Sequence, residues 1–95
     1  MPATPEPQVR RRDRDYEATL GGGAAGHLLF RREGDVVVLV HTEVDPAFEG
    51  RGIGGALARF ALDDVRAQGL RVRVLCPFMR SYLARHPGDE DLLEG

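Results

Sequence analysis

A chain of 95 residues is long enough for one folded domain and too short for separate cofactor and substrate domains. Hydrophobic residues make up 42% of it and charged residues 29%, with a formal net charge of -2, which favours a folded globular protein without a broadly basic nucleic-acid surface. All 13 basic residues are arginines, and the absence of lysine excludes a Walker-type phosphate loop and a catalytic Schiff-base lysine.

Cysteine and histidine are too few for a disulfide scaffold or a structural zinc site. The single cysteine, Cys76, cannot form an intramolecular disulfide, and the three histidines lack metal-ligand spacing. The sequence contains no apolar run long enough for a membrane span and no signal-peptide pattern at its N-terminus. We therefore expect a cytoplasmic protein with no metal, no membrane association and no nucleic-acid partner.

Residues 1–14 differ in composition from the rest of the chain. They contain three prolines and four arginines, Pro2, Pro5, Pro7, Arg10, Arg11, Arg12 and Arg14. This composition predicts a flexible tail, with residues 15–95 forming the folded domain. A basic arm for an acidic partner is the alternative, but a short charged terminus is more often simply solvated.

Three strands are predicted next. Residues 16–20 alternate apolar and polar, the glycines of 21–23 interrupt them, and residues 26–32 supply an antiparallel partner. Residues 36–44 begin with a continuous β-branched run, which is typical of a central strand buried on both faces. Asp45-Pro46 stops this strand, because proline has no amide hydrogen for the ladder.

A helix and a further strand follow. Six apolar residues recur at helical spacing, Ile53, Ala56, Leu57, Phe60, Ala61 and Val65, and Gly69 suits the helix C-terminus. Residues 70–75 alternate as a strand, so strand, helix and strand form a right-handed parallel βαβ unit. A short helix over residues 78–85 and an acidic turn over residues 89–93 complete a mixed α/β sheet with antiparallel N-terminal strands.

The loop between the buried strand and the helix is rich in glycine. Four glycines lie within residues 50–55, where backbone N–H groups can converge on an anion at a helix N-terminus. This pattern predicts a phosphate-binding loop. A dinucleotide fold is excluded, because Leu75 and Cys76 stand where the next strand should end in an acidic residue. The alternative is that the glycines only allow close packing of the helix on the sheet.

The strand of residues 36–44 followed by the glycine loop resembles the acetyl-CoA signature of the GNAT acetyltransferase superfamily. More narrowly, the residues 41–44 (His-Thr-Glu-Val), 48–54 (Phe-Glu-Gly-Arg-Gly-Ile-Gly), Cys76 and 85–87 (Arg-His-Pro) resemble its minimal single-domain members. The resemblance implies a GNAT-like fold, acetyl-CoA as cosubstrate and N-acetyl transfer to an amine.

The resemblance also implies which residues bind CoA. The superfamily pattern Q/R-x-x-G-x-G/A falls on residues 49–54, with Glu49 as a departure whose carboxylate must point away from the pyrophosphate. Arg51, with Arg59 as a weaker candidate, would contact phosphate oxygens. The strand before the loop would diverge from its parallel neighbour and leave its backbone free for the thioester and pantetheine. The expected CoA-binding residues are Thr42, Glu43, Val44, Glu49, Gly50, Arg51, Gly52, Ile53, Gly54 and Gly55.

Three residues are candidates for catalysis. Cys76 ends a strand at the expected cleft, where its thiol would attack the acetyl carbonyl, although a small buried hydrophobic residue is the alternative. His41 would act as general base, and strand alternation places it on the face of Val37 and Leu39, where a structural role is the alternative. The resemblance implies that Tyr82 protonates the departing CoA thiolate, whereas core packing is the simpler explanation.

The leading hypothesis is an acetyl-CoA-dependent N-acetyltransferase acting on an unidentified amine, as a monomer or weak homodimer. So small a domain has little room for an acceptor pocket, so a protein surface or a second subunit would present the amine. A non-catalytic CoA-binding or acyl-CoA-binding module is the first alternative. A protein-interaction domain without a ligand is the second, in which the glycines are purely structural.

Overall fold

The computed structural model describes residues 6–94, which form one five-stranded sheet. The strands follow chain order: β1 (Gln8–Arg11), β2 (Asp15–Leu20), β3 (Gly23–Glu33), β4 (Val36–Val44) and β5 (Arg71–Val74). Strands β1 to β4 pair antiparallel, whereas β5 pairs parallel to β4. The predicted mixed sheet with antiparallel N-terminal strands and a βαβ unit is confirmed.

Two helices cover one face of the sheet. Helix α1 (Ile53–Ala67) connects β4 to β5, α2 (Pro77–Arg85) follows β5, and short 3-10 turns lie at Pro46–Phe48 and Pro87–Leu92. Within residues 6–94, neither helix is long and apolar enough to span a bilayer. The core combines buried residues of the helices and strands, including Tyr16, Leu28, Leu39, Leu57, Leu62, Val72 and Met79.

Helix α1 presents an apolar stripe to the sheet. Its buried residues are Ile53, Leu57, Ala58, Ala61, Leu62 and Val65. Phe60, predicted on this stripe, is 37% exposed and lies at the edge of the core, where its ring meets that of Tyr16 edge-on with centroids 5.9 Å apart. The helix ends before Gly69, whose φ of +69° is the conformation that favours glycine there.

The opposite face of the sheet, here called the outer face, carries arginine side chains. The strand register places Val38 between Arg31 and Arg73. Both arginines bind Glu33, with N–O distances of 2.9 Å from Arg31 and 3.0 Å from Arg73. Arginine stems pack well along apolar surface, which accounts for the complete burial of Val38 on a face without a helix.

The structure differs from the predicted flexible tail at residues 8–11, which form β1. Val9 packs against the core opposite Ala18, and Arg10 and Arg11 form ion pairs with Glu17 and Asp64. Apolar contact and charge pairing therefore order a segment whose composition resembles that of a solvated tail. Residues 1–5 of the predicted tail lie outside the described residues.

Strand β4 is an interior strand, and its first four residues are buried. The prediction of a central strand buried on both faces is confirmed for residues 36–39. The middle strand of the five is β3, because β1 extends the sheet on the side of β2.

Strand β4 also contains a bulge. Leu39 pairs with Phe30 of β3, but His41 pairs with the preceding residue, Leu29, so Val40 has no partner. An extra residue on one strand inverts the alternation of the side chains that follow it. Residues 41–44 therefore face opposite ways from those that uninterrupted alternation would give.

Candidate functional site

Strands β4 and β5 pair over only part of β4. Their register ends at Leu39 and Val74, and the amide of Leu75 donates to the carbonyl of Leu39 at 2.9 Å. Beyond this point β4 continues to Val44 paired with β3 alone. The expected divergence is thus present: beyond Leu39, the edge of β4 that faces α2 has no partner strand, and this unpaired edge is here called the gap between β4 and α2.

A tight glycine turn connects the end of β4 to α1. Gly50 and Gly52 have φ values of +77° and +76°, a conformation that residues with a Cβ rarely adopt. Gly52 is also the N-cap of α1 and offers no side chain to the helix amides. The turn therefore exposes backbone where most helices carry a capping side chain.

The first turn of α1 has unpaired backbone donors. The first helical bond runs from the amide of Ala56 to the carbonyl of Gly52 at 3.0 Å. The amides of Ile53, Gly54 and Gly55 donate to no acceptor within residues 6–94, and the turn carries no acidic residue. Free amides at the positive end of a helix dipole form a site suited to a phosphate group.

The two arginines near this turn differ in their availability. Arg51 and Glu49 are both exposed, and neither forms an ion pair within the described part of the chain. Arg59 instead binds Asp63 at 2.8 Å and Asp89 at 2.7 Å. Arg59 therefore anchors the C-terminal turn, which leaves Arg51 as the arginine available to a ligand.

Cys76 lies at the gap between β4 and α2. It is the N-cap residue of α2, is only 2% exposed, and has its Sγ 3.2 Å from Oγ1 of Thr42. Thr42 pairs with the buried Leu28, so the bulge at Val40 directs its side chain to the helix-covered face. The contact joins β4 to α2 where the strands no longer pair.

The surroundings of Cys76 affect its thiol in opposite directions. Burial raises the pKa of Cys76, whereas the Thr42 hydroxyl and the backbone amides of Met79, Phe78 and Thr42 lower it. The net pKa lies below the ordinary value of a cysteine. Because Cys76 is the N-cap residue of α2, its sulfur also lies at the positive end of the helix dipole, which favours the thiolate.

His41 lies away from Cys76. The prediction that it shares the face of Val37 and Leu39 is wrong, because the bulge turns it to the outer face. There its Nε2 lies 3.6 Å from Oε1 of Glu43, and Nε2 of His27 lies 3.2 Å from Oε2 of the same carboxylate. The structure thus brings together His27, His41 and Glu43, but not His41 and Cys76.

Tyr82 lies on the buried side of α2. Its ring stacks on the ring of His86 with centroids 3.9 Å apart, and Nδ1 of His86 lies 2.8 Å from the carbonyl oxygen of Tyr82. The hydroxyl has no hydrogen-bond partner within residues 6–94. Packing accounts for the burial of the Tyr82 ring, and the role of the Tyr82 hydroxyl as a proton donor stays a prediction.

Sequence reasoning missed two features of this region. A Cβ atom at Gly54 would lie 2.8 Å from Cζ of Phe78, so this glycine lets the starts of α1 and α2 pack together. An open groove of about 500 Å³ also lies at the end of β4, lined by Glu17, His27, Glu43 and Asp45 among others.

No metal-binding group of three or more His, Cys, Asp or Glu side chains occurs in residues 6–94.

A family model described as GCN5-related N-acetyl-transferase matches residues 15–92. The chain belongs to this family. It is 38% identical over 79 residues to Protein NATD1 of Bos taurus, an alignment covering 81% of this chain and 70% of that protein. The Homo sapiens Protein NATD1 is 37% identical over the same length, with the same coverage.

Solved structures share the fold. A GCN5-like protein from Staphylococcus aureus matches with a TM-score of 0.71 and 18% identity, covering 93% of this chain and 88% of that one. The ribosomal-protein-S18-alanine N-acetyltransferase of Escherichia coli matches with a TM-score of 0.60 and 22% identity, covering 67% and 43%. These findings confirm the GNAT resemblance and place the protein among N-acetyltransferases, a family that generally uses acetyl-CoA.

Proposed function

We propose that this protein transfers the acetyl group of acetyl-CoA to an amine at the gap between β4 and α2. The observation that carries the proposal is the convergence on one gap of unpaired helix amides, an unpaired strand edge and the Cys76 thiol. Each supplies one requirement of acetyl transfer, namely phosphate binding, thioester alignment and a nucleophile.

The pyrophosphate of CoA would bind at the start of α1. The free amides of residues 53–55 lie at the positive end of the helix dipole. The turn at Gly50 and Gly52 lets phosphate oxygens approach the backbone closely. Arg51 would add a charge-assisted contact. Glu49 is exposed, so its carboxylate can turn to solvent and avoid repelling the phosphates.

The pantetheine arm would follow the free edge of β4. Residues Thr42, Glu43 and Val44 have no partner strand on the side of β5, so an extended amide-containing chain can replace the missing ladder. The chain passes from this edge through the 3-10 turn Pro46–Phe48 to the glycine turn, so acetyl-CoA bound by its pyrophosphate at α1 would direct its thioester end back along β4 toward Thr42 and Cys76.

Cys76 would carry the acetyl group between acetyl-CoA and the acceptor. Its thiolate attacks the acetyl carbonyl, the bond between carbonyl carbon and CoA sulfur breaks, and the CoA thiolate takes a proton, for which Tyr82 is the candidate donor. A neutral amine then attacks the Cys76 thioester, releases its proton to water and restores the thiolate. His41 would serve only an amine that approaches from the outer face.

Binding of acetyl-CoA tests the first half of this proposal. Calorimetric titration should give micromolar binding that is lost in Gly52→Glu, because that side chain places bulk and negative charge at the free amides. Gly34→Glu is the matched control, since Gly34 also has a positive φ, of +62°, with open space around it in the β3–β4 turn. Absence of binding by the unchanged protein would overturn the proposal.

A second candidate function is a CoA-binding module without catalysis. Two observations favour this second function: Cys76 is buried, and His41 lies on the outer face, away from Cys76. An exposed catalytic pair of cysteine and histidine would have neither property. Incubation with acetyl-CoA followed by intact-mass measurement separates the two functions. An acetyl adduct that Cys76→Ala abolishes, and that an added amine discharges, supports transfer; binding without transfer across amine and peptide panels supports the module.

A further inference from the structure

The structure leaves Cys76 without a side-chain base. Within residues 6–94, the polar side-chain atom that contacts its sulfur is Oγ1 of Thr42, at 3.2 Å, and His41, the residue after the bulge, lies on the outer face. A buried thiol without a base is ordinarily protonated and inert, because burial disfavours the charged form. Any nucleophilic role for Cys76 therefore requires another source of thiolate stabilisation.

Thr42 can supply that stabilisation. Its hydroxyl can donate a hydrogen bond to a sulfur anion, and a hydrogen bond to the charged form of a group favours ionisation. The backbone amide of Thr42 acts in the same direction, together with the amides at the start of α2. The observed contact between the hydroxyl of Thr42 and the sulfur therefore comes from β4, whereas the other amides lie on α2.

Among residues 6–94, the charged side chains of the surrounding elements do not replace this contact. His41 and Glu43 of β4 and Arg73 of β5 point to the outer face, where they pair with one another or with acidic partners. On the inner side, Arg59 of α1 is held by Asp89. On α2, Arg80 lies 3.4 Å from the carbonyl of Val74, and Tyr82 stacks on His86.

We propose that Thr42 is the positioning residue that keeps Cys76 in its nucleophilic, thiolate-forming state, so that the thiol needs no histidine base. The catalytic meaning of this contact rests on the proposed acetyl transfer. The protonation state of the thiol does not rest on the proposed acetyl transfer, because it can be measured without acetyl-CoA.

The test is a pH titration of the Cys76 thiolate by its ultraviolet absorbance, with Cys76→Ala as the blank. Thr42→Val keeps the shape of the side chain and removes the hydroxyl, and Thr42→Ser keeps the hydroxyl. We expect the midpoint to rise by about one pH unit in Thr42→Val, a roughly tenfold loss of thiolate at neutral pH, and to stay near the original value in Thr42→Ser. His41→Gln should leave the midpoint unchanged.

Two results would overturn the proposal. One is an unchanged midpoint in Thr42→Val, and the other is an equal shift in His41→Gln. Thermal melting shows whether each variant folds, and if Thr42→Val does not, Thr42→Ala takes its place. A shifted midpoint without any acetyl transfer by the unchanged protein would refute the proposed function while leaving the Thr42 contact established, so the two failures are distinguishable.

Discussion

The ring of Phe78 occupies the space that a side chain at Gly54 would need, with Cζ only 2.8 Å from an ideal Cβ. This contact brings the first turn of α1, with its free amides, against the start of α2, which carries Cys76. The glycine loop is therefore part of the packing between the helices as well as a candidate phosphate site.

Replacing Gly54 should cost stability that replacing Gly55 does not. Alanine improves helix propensity by up to about 1 kcal/mol at either position. At Gly54 the added methyl must displace the Phe78 ring, a cost of about 1–3 kcal/mol, whereas Gly55 has open space. Urea unfolding should show Gly54→Ala less stable than Gly55→Ala by about 1–2 kcal/mol. Equal stability would mean that the ring moves aside freely.

Gly26 should tolerate no side chain. Its φ is unexceptional, but a Cβ there would lie 2.6 Å from the carbonyl oxygen of Glu43 and 3.0 Å from Cγ2 of Ile53. Because backbone cannot rotate away, Gly26→Ala should lower the free energy of unfolding by about 3 kcal/mol and displace the end of β4. Gly23→Ala, also in β3, is the control, since its nearest atom is Phe48 Cζ at 3.4 Å. Similar denaturation midpoints for the two variants would contradict this account.

Asp89 should stabilise the fold except in acid. It is 6% exposed, and the bidentate contact with Arg59 holds the pKa of its carboxyl below the ordinary 3.8. A lowered pKa in the folded state means that the stabilisation is complete above the ordinary pKa and is lost as the pH falls through the folded value. Asp89→Asn should therefore lower the free energy of unfolding by about 2 kcal/mol near neutral pH, and by progressively less as the pH falls below the ordinary pKa of 3.8.

The control for this prediction is the neighbouring, more exposed ion pair of Arg66 with Asp91. Asp91→Asn should change the free energy of unfolding far less than Asp89→Asn does near neutral pH, because solvent screens exposed pairs. A penalty for Asp89→Asn that persists undiminished in acid would show that the loss comes from packing and not from charge.

Arg51 and Arg59 should separate ligand binding from stability. Arg51→Gln should weaken acetyl-CoA binding about tenfold, an effect that shrinks at high salt, and should leave the melting temperature unchanged. Arg59→Gln should lower the melting temperature, because it removes the bidentate partner of the buried Asp89 and leaves that carboxylate only Arg66, at 3.3 Å. Calorimetric titration and thermal melting of both variants check this. Tenfold weaker binding in Arg59→Gln with intact folding would place Arg59 at the phosphates instead.

The order of elements from β2 to α2 could be predicted from sequence because each depends on neighbours in the chain. The apolar run of β4, the helical spacing after Gly52 and the glycine after α1 are local signals. They also predicted the glycine turn with free helix amides that is the candidate phosphate site, because free amides at a helix start follow from glycine content and helix direction alone.

Only the tertiary structure decided which way the catalytic candidates face. The bulge at Val40 depends on how β4 pairs with β3, and it moved His41 to the outer face and Thr42 to the inner one. Thr42 and Cys76 are 34 residues apart in the sequence. The ion pair between Arg11 of β1 and Asp64 of α1 likewise joins distant parts of the chain. Such contacts arise from strand pairing and side-chain packing across the sheet, and no local pattern of residues encodes them.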